Sequence, residues 1–131
     1  MKADNLDLAK ANEIVKNAAQ TEEEFQQQVI DLAHYDGWKV AHFRKARIMV
    51  NGKETYRTPV QADGTGFPDL ILVKGKRLIA AELKIKRGGR IKMTAEQWDW
   101  LEALGRAGTE VYTWIPEDWE DIVEILSNER G

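Results

Sequence analysis

The sequence predicts a single α/β domain in which a mixed β-sheet is flanked by helices. Three patterns predict this fold: a helical apolar stripe that begins at Thr21, a central group of short strands, and two later helices separated by a strand. Elements in this order typically pack as layers around one core. The length of 131 residues suits one domain and is too short for two.

The first part of the chain predicts two helices. Apolar side chains recur at helical spacing from Leu6 to Ala19, so residues 1–20 are interpreted as an N-terminal helical arm. Thr21 is a favourable N-cap, and Glu24 three positions later completes a capping box. Residues 21–131 are predicted to form the main domain. Its first helix carries an apolar stripe made of Phe25, Val29, Leu32 and Ala33.

The middle of the chain predicts strands, and its end predicts two helices around one more strand. Asn51-Gly52 is the strongest short signal for a hairpin turn, and Gly75 is expected to turn a second hairpin. Thr94 caps a helix that runs to about Gly105, and a closing helix starts at Trp119. The predicted strands are 38–43, 47–50, 53–58, 69–73, 77–84 and 109–115.

Charge is distributed unevenly along the chain. Residues 37–92 carry fourteen basic and four acidic side chains, a net charge of +10, whereas the segments before and after carry −5 and −8. A basic middle between acidic ends indicates a local surface that binds phosphates. The alternative is that these charges simply cluster on solvated faces.

The composition excludes several kinds of site. The chain has no cysteine, which excludes disulfides and thiolate metal sites, and its two histidines make a histidine-rich zinc site unfavourable. No apolar run approaches the roughly 20 residues that a membrane span needs, and the N-terminus lacks a signal-peptide pattern. We therefore expect a cytoplasmic protein with no membrane partner.

Two carboxylates and one ammonium group are expected to meet at one end of the second hairpin. Asp69 opens one strand, and Glu82 and Lys84 share a face near the end of the next. Asp69 lies six residues before Gly75 and Glu82 seven after it, so pairing brings them together. Adjacent like charges repel, and a hard cation such as Mg²⁺ relieves this by binding carboxylate oxygens. The alternative is that these motifs have no catalytic role. Taken alone, Pro-Asp is common in turns, and Glu-x-Lys is common as a surface pair on a strand.

An ordered set of motifs resembles the PD-(D/E)XK nucleases, and more narrowly the stand-alone VRR-NUC domains of bacteria and their phages. The resemblance covers most of residues 21–125 and implies a restriction-endonuclease-like fold. Its motifs are Thr21-Glu22, Phe25-Gln26, Gly37-Trp38, His42-Phe43-Arg44, Thr58-Pro59-Val60, Gly66-Phe67-Pro68-Asp69-Leu70, Ala81-Glu82-Leu83-Lys84, Glu96-Gln97 and Trp114-x-Pro116-x-Asp118-Trp119.

The resemblance implies metal-dependent hydrolysis of DNA phosphodiesters without a covalent enzyme intermediate. Asp69, Glu82 and the carbonyl of Leu83 would bind Mg²⁺, with Mn²⁺ as a substitute. Lys84 would orient or activate the attacking water and help to hold the phosphate that is cut.

The family also has a glutamate in its first helix and a glutamine further along. Glu22, Glu23 and Glu24 are available for the first. Glu22 lies within about 40° of the centre of the apolar face at ~100° per residue, whereas Glu24 already caps the helix. We assign Glu22 to the metal site, with its neighbours or a helix-dipole role as alternatives. Gln97 faces the sheet and is assigned to the site, although Thr94-x-x-Gln97 is itself a capping box.

Basic side chains on both sides of this centre are candidates for contacts with DNA. Most of them would bind phosphates without reading sequence. His42 is a further candidate, with packing as its alternative role. The candidates on one side are Lys39, Arg44, Lys45, Arg47, Lys53 and Arg57, and those on the other are Lys86, Arg87, Arg90 and Lys92.

The small VRR-NUC proteins resemble homodimeric enzymes that resolve DNA junctions. We therefore expect a homodimer that cuts branched DNA such as Holliday junctions, in replication, recombination or repair, within a bacterial or phage-infected cell. The alternatives are a less selective nickase or exonuclease, and a catalytically silent DNA-binding module. Trp98 is a candidate subunit contact, and the tryptophans assigned to the core are Trp38, Trp100, Trp114 and Trp119.

Overall fold

The computed structural model describes residues 21–43, 46–57 and 62–128, and for residues 46–50 and 54–57 it describes the backbone alone. Over these residues the helices are α1 at Glu22–Tyr35, α2 at Ala95–Arg106 and α3 at Trp119–Ser127. A 3₁₀ turn at Pro116–Asp118 leads into α3. The strands are β1 at Lys39–His42, β2 at Ala46–Val50, β3 at Lys53–Arg57, β4 at Leu70–Lys74, β5 at Arg77–Leu83 and β6 at Glu110–Trp114.

The central sheet has four strands in the order β1-β4-β5-β6. The β1–β4 and β4–β5 pairs are antiparallel, and the β5–β6 pair is parallel. A parallel pair needs a crossover connection, which α2 supplies here. The mixed α/β fold predicted from the sequence is therefore confirmed, as one small domain with a four-stranded sheet flanked by helices. Its restriction-endonuclease-like identity stays a prediction.

Both predicted hairpins are present. Strands β2 and β3 form a separate two-stranded sheet joined by Asn51 and Gly52, whose φ angles of 52° and 77° are both left-handed. Two residues with positive φ are what a type I′ hairpin turn requires. Strands β4 and β5 pair from Leu70 opposite Ala81 to Lys74 opposite Arg77, with Gly75 in the turn at φ 58°.

The main core lies between one face of the four-stranded sheet and helices α1 and α3. Trp38, Trp114 and Trp119 belong to it, as the sequence predicts. The Trp38 indole also donates to the carbonyl of Leu126 at 2.9 Å, which ties the start of β1 to the end of α3. The fully buried large side chains that fill this core include Phe25, Val29, Leu70, Leu72, Ile79, Leu83, Ile122 and Leu126.

Both predicted capping boxes are confirmed. At α1, the Glu24 amide donates to Thr21 Oγ1 at 3.1 Å and the Thr21 amide donates to Glu24 Oε1 at 2.8 Å. At α2, Thr94 and Gln97 exchange the equivalent two bonds at 2.9 and 3.1 Å. Each box satisfies amide groups that a helix start leaves without partners, so the two helices begin at defined residues.

Arg77 anchors the turn end of the β4–β5 hairpin. Its guanidinium, 7% exposed, forms a two-pronged pair with Glu110 at 2.7 and 2.9 Å and donates to the carbonyls of Ile125 and Asn128. It also lies 5.0 Å from the centre of the Trp38 ring. These bonds hold β5, β6 and the end of α3 together, so this end of the sheet is built for stability.

Several predictions fall outside the described residues. The N-terminal helical arm at 1–20 lies there, as do Arg44 and Lys45. Within residues 21–43, 46–57 and 62–128, no helix combines the length and the apolar character that a membrane crossing requires.

Candidate active site

The structure brings Asp69, Glu82 and Lys84 together at the open end of the β4–β5 hairpin. Leu70 pairs with Ala81, so Asp69, one residue earlier, comes beside Glu82. The carboxylate of Asp69 accepts a hydrogen bond from the Leu83 amide at 2.9 Å. Lys84 Nζ lies 3.5 Å from Glu82 Oε2. The two carboxylates and the ammonium group thus form one cluster, which we call the charge centre.

Strand alternation explains why the charge centre faces away from the main core. Ala81 and Leu83 of β5 point into the core between the sheet and helices α1 and α3. Glu82 lies between them and therefore points to the opposite face, toward α2. It is only 3% exposed there, and Lys84 on the same side is 15% exposed. A carboxylate this well buried needs specific partners.

The pKa of Glu82 reflects its surroundings. Burial, and after it repulsion from the Asp69 carboxylate, raises the pKa of Glu82 from 4.5 to about 7. The Lys84 ammonium opposes both effects by attraction and hydrogen bonding, and Glu22 adds a smaller repulsion. One ammonium group therefore does not balance the negative charge of this cluster. Glu22, at the first turn of α1, is near enough to the charge centre for its charge to raise the pKa of Glu82.

Gln97 joins the charge centre to the start of α2. Its side-chain amide donates to Glu82 Oε2 at 2.9 Å, while its carbonyl oxygen accepts from the Thr94 amide at 2.9 Å. One side chain therefore caps the helix and orients the carboxylate. The capping role and the site role inferred for Gln97 are compatible, because they use different atoms of the same amide.

The loop before Asp69 lies directly on the N-terminus of α2. A Cβ atom on Gly66 would lie 2.6 Å from Glu96 Cβ, 2.7 Å from the Glu96 carbonyl carbon and 2.8 Å from the Gln97 nitrogen. Gly66 also has a φ of 84°, which disfavours every other residue type. Only glycine fits this contact without distortion. The contact sets the position of Asp69 relative to Gln97.

An aromatic bridge stabilises the same loop. The Phe67 ring packs edge-to-face on Phe43 at 5.4 Å and on Trp100 at 4.9 Å. The Trp100 indole donates to the Asp63 carbonyl at 2.9 Å. Trp100 is half-buried and lies outside the main core, so its assignment to the core was wrong. Sequence reasoning missed the bridge because its three rings come from distant segments, although Phe67 within a polar loop was a signal.

The described basic candidates lie at the surface. Lys39 on β1 and Lys53 on β3 are exposed. Residues 87–90 form a tight turn, in which Arg87 and Arg90 exchange backbone hydrogen bonds of 2.8 and 3.2 Å and Gly88 and Gly89 have φ angles of 60° and 78°. This turn comes shortly after β5, and the basic residues in it and beside it, Lys86, Arg87, Arg90 and Lys92, are exposed. Arg47 and Arg57 lie on β2 and β3, whose backbone alone is described.

His42 is directed toward α1. Its Nε2 lies 2.9 Å from Gln26 Oε1, and the residue pairs with the buried Leu70 of β4. The ring is half-buried in this position. The packing role that the sequence left open for His42 is thus present in the structure, and a contact with phosphate stays a prediction.

The donor atoms of the charge centre suit a hard divalent cation. Mg²⁺ in proteins is usually bound by one or two carboxylates, keeps several waters and prefers oxygen ligands. Asp69 and Glu82 supply two carboxylates with excess negative charge. Among the described residues, no three histidine, aspartate or glutamate side chains gather in a way typical of a metal site. The assignment of Glu22 and of the Leu83 carbonyl as further metal ligands therefore stays a prediction.

Trp98 lies away from the charge centre. It is 56% exposed and lines an open groove between α2 and β6 together with Leu101, Val111 and Tyr112. Asp99 and Glu102 also line the groove, so its charge disfavours a phosphate. The role of Trp98 as a subunit contact stays a prediction.

We found no match to the chain among protein-family models, curated proteins or solved structures. Its relation to the VRR-NUC domains therefore stays a prediction from the motifs. The function has to be argued from the geometry and electrostatics of the charge centre.

Proposed function

We propose that the protein is a metal-dependent endonuclease that hydrolyses phosphodiester bonds in DNA and acts on branched DNA as a homodimer. The observation that carries the proposal is the charge centre: a buried glutamate with a pKa near 7, beside Asp69 and Lys84. A protein that only bound DNA would gain nothing from two carboxylates here, because they repel phosphates and cost energy to bury. In metal-assisted hydrolysis, by contrast, carboxylates hold the cation, and a nearby ammonium group offsets charge on the phosphate.

Each residue of the charge centre has a distinct role in this proposal. Asp69, Glu82 and the Leu83 carbonyl would hold Mg²⁺ or Mn²⁺, with Glu22 as a further acidic group nearby. A cation held there would supply Lewis-acid activation of water and offset charge on the phosphate. The Lys84 ammonium orients the attacking water and attracts a phosphate oxygen. Gln97 is a positioning residue, because it acts through Glu82.

The turn at 87–90 supports a path for DNA beside the charge centre. It follows β5 within a few residues of Lys84, and its backbone bonds hold Arg87 and Arg90 on one small loop. The planar guanidinium of arginine can bind two phosphate oxygens at once, and the turn fixes where the two arginine backbones lie. The acidic segments, residues 1–36 and 93–131, would face away from DNA. A protein with a net charge of −3 could then bind an anionic substrate.

Reversing the charge of Arg87 or Arg90 with glutamate is expected to weaken binding to linear and branched DNA by similar factors. Each lost phosphate contact should also flatten the dependence of log affinity on log salt by about 1. Fluorescence anisotropy at several salt concentrations, with Ca²⁺ present, measures both quantities. Arg106→Glu is the matched control, since Arg106 is 77% exposed at the far end of α2. Equal effects at all three positions would place DNA on another surface.

Cleavage of a labelled DNA panel tests the function itself. Four-way junctions, flaps, splayed arms, single strands and linear duplexes should be incubated with Mg²⁺, Mn²⁺, Ca²⁺ or EDTA. We expect Mg²⁺ and Mn²⁺ to support cleavage and EDTA to abolish it. Ca²⁺ should permit binding with little turnover, because its looser coordination positions water poorly. Full activity in EDTA would contradict the proposal.

Mapping the products distinguishes the remaining possibilities. Paired cuts at symmetric positions in a junction are expected from two active sites related by a two-fold axis. Digestion from ends, or single nicks in linear duplex, would indicate the less selective nuclease. Metal-independent binding without any cleavage would indicate a catalytically silent DNA-binding module.

A further inference from the structure

Phe43 is a large apolar ring that is exposed beside the charge centre. It follows β1 directly and is 42% exposed. Its backbone amide donates to the carbonyl oxygen of Asp69 at 3.1 Å, so the two residues are neighbours across the β1–β4 pair. Covering an exposed phenylalanine ring is favourable, because it removes apolar surface from water. Because Phe43 lies next to Asp69, a substrate held at the charge centre is close enough to cover the ring.

Strand register places Phe43 in one row with the two carboxylates. His42 pairs with Leu70, and Leu70 pairs with Ala81; the next residues along are Phe43, Asp69 and Glu82. His42 is turned toward α1, so Phe43 points to the opposite face, where its ring contacts Phe67. Adjacent strands are about 4.8 Å apart, so the Phe43 backbone is roughly 10 Å from that of Glu82.

The Phe43 ring has a defined orientation against Phe67 and is 42% exposed among the described residues. Its contact with Phe67 is edge-to-face, with an interplanar angle of 86°. Such a contact uses at most one of the two faces of the Phe43 ring. Phe67 is fixed in turn by Trp100, whose indole is bonded to the Asp63 carbonyl. A preorganised aromatic face binds a flat ligand with little further loss of conformational freedom.

We propose that Phe43 is a stacking site for an unpaired DNA base next to the phosphate held at the charge centre. This inference rests on the proposed nuclease function and narrows its substrate class. Aromatic side chains stack on bases of any sequence, because every base has a π face. Bases inside an intact duplex are already stacked and paired. Phe43 therefore favours DNA in which a nucleotide near the cut is unpaired, as at a branch point, gap or flap.

Two matched DNAs and three variants test this site in the full-length protein. One DNA carries 2-aminopurine at an unpaired position of a gapped duplex, and the other carries it fully paired. Ca²⁺ replaces Mg²⁺ so that DNA is bound without being cut. Phe43→Leu keeps apolar cover over Phe67 and removes the flat face, whereas Phe43→Trp keeps a flat face. Leu78→Ala is the control, because Leu78 is also 42% exposed but lies at the turn end of β5.

We expect wild-type protein and Phe43→Trp to change the 2-aminopurine fluorescence of the gapped DNA, and Phe43→Leu to lose this change. The affinity of Phe43→Leu for gapped DNA should fall about ten-fold, and its preference for gapped over paired DNA should fall with it. Leu78→Ala should keep the wild-type preference. Circular dichroism and thermal unfolding verify that each variant is folded.

Several results would overturn the stacking site. An unchanged preference and fluorescence in Phe43→Leu would do so, and so would equal losses on both DNAs. A change of oligomeric state with unchanged preference would mean that a second copy of the chain covers Phe43. In all three cases, Mg²⁺-dependent cleavage by the wild type would leave the nuclease function standing. Wild-type protein that bound neither DNA would overturn both proposals.

Discussion

Replacing Glu82 with glutamine is expected to stabilise the metal-free protein above pH 7 and to reduce DNA cleavage by roughly 100-fold or more. The pKa of Glu82 rises from an ordinary 4.5 to about 7 in the folded protein, mainly because of burial. The protonated carboxyl therefore stabilises the fold fully below pH 4.5, and this contribution is lost as pH rises through 7. Glutamine is neutral throughout, has the same shape and can still accept the bond from Gln97.

The difference in unfolding free energy between Glu82→Gln and wild type should grow from near zero at pH 4.5 to roughly 3 kcal/mol above pH 7. Urea unfolding in EDTA at a series of pH values measures it. Glu124→Gln, the same chemical change at an exposed position of α3, should show no such growth. Stability that falls in Glu82→Gln at pH 8, or cleavage that persists, would mean that Glu82 is a structural residue.

Replacing Gly66 with alanine is expected to lower the free energy of unfolding by about 2–5 kcal/mol, the sum of a left-handed backbone penalty and steric overlap. The added Cβ would overlap the backbone of Glu96 and Gln97, which cannot move without disturbing the start of α2. The loop would shift instead and carry Asp69 away from Glu82. Cleavage should therefore fall even at temperatures where the variant is folded.

Gly108→Ala isolates the steric part of this effect. Gly108 has a φ of 96°, close to the 84° of Gly66, but a Cβ there would meet open space. It should lose only about 1–2 kcal/mol and keep its activity, because it lies beyond the far end of α2. Urea unfolding and cleavage rates of both variants provide the comparison. Equal losses in the two would show that the close approach of the loop to α2 is unimportant.

Local chemistry explains which parts of the fold were predictable. The capping boxes at Thr21 and Thr94 depend on residues three positions apart, and the Asn51-Gly52 turn depends on neighbours. The meeting of Asp69 with Glu82 followed from counting residues on either side of Gly75, because an antiparallel hairpin has a simple register. These features need no knowledge of the rest of the molecule.

Long-range contacts were not predictable in the same way. Nothing in the periodicity of β1 indicates that it pairs with β4, and β2 and β3 form a separate sheet between them in the chain. The Arg77 anchor joins residues that are 33 to 51 positions apart, and Phe67 joins Phe43 to Trp100. Such contacts arise only when distant segments close together. The Phe67 contacts also hold the loop before Asp69, so the sequence predicted the members of the charge centre but not the rings that support them.

The turn of the β4–β5 hairpin and the charge centre lie at opposite ends of the hairpin, which has a practical consequence. Lys76 is exposed in the turn, six residues before Glu82. A strand rises about 3.3 Å per residue, so the two residues are roughly 20 Å apart. The chain contains no cysteine, so Lys76→Cys would create a single thiol for a dye. A donor dye there and an acceptor on one DNA arm would lie within the range of resonance energy transfer. Individual molecules could then be watched as DNA arrives, bends and departs, without a label near the reacting atoms.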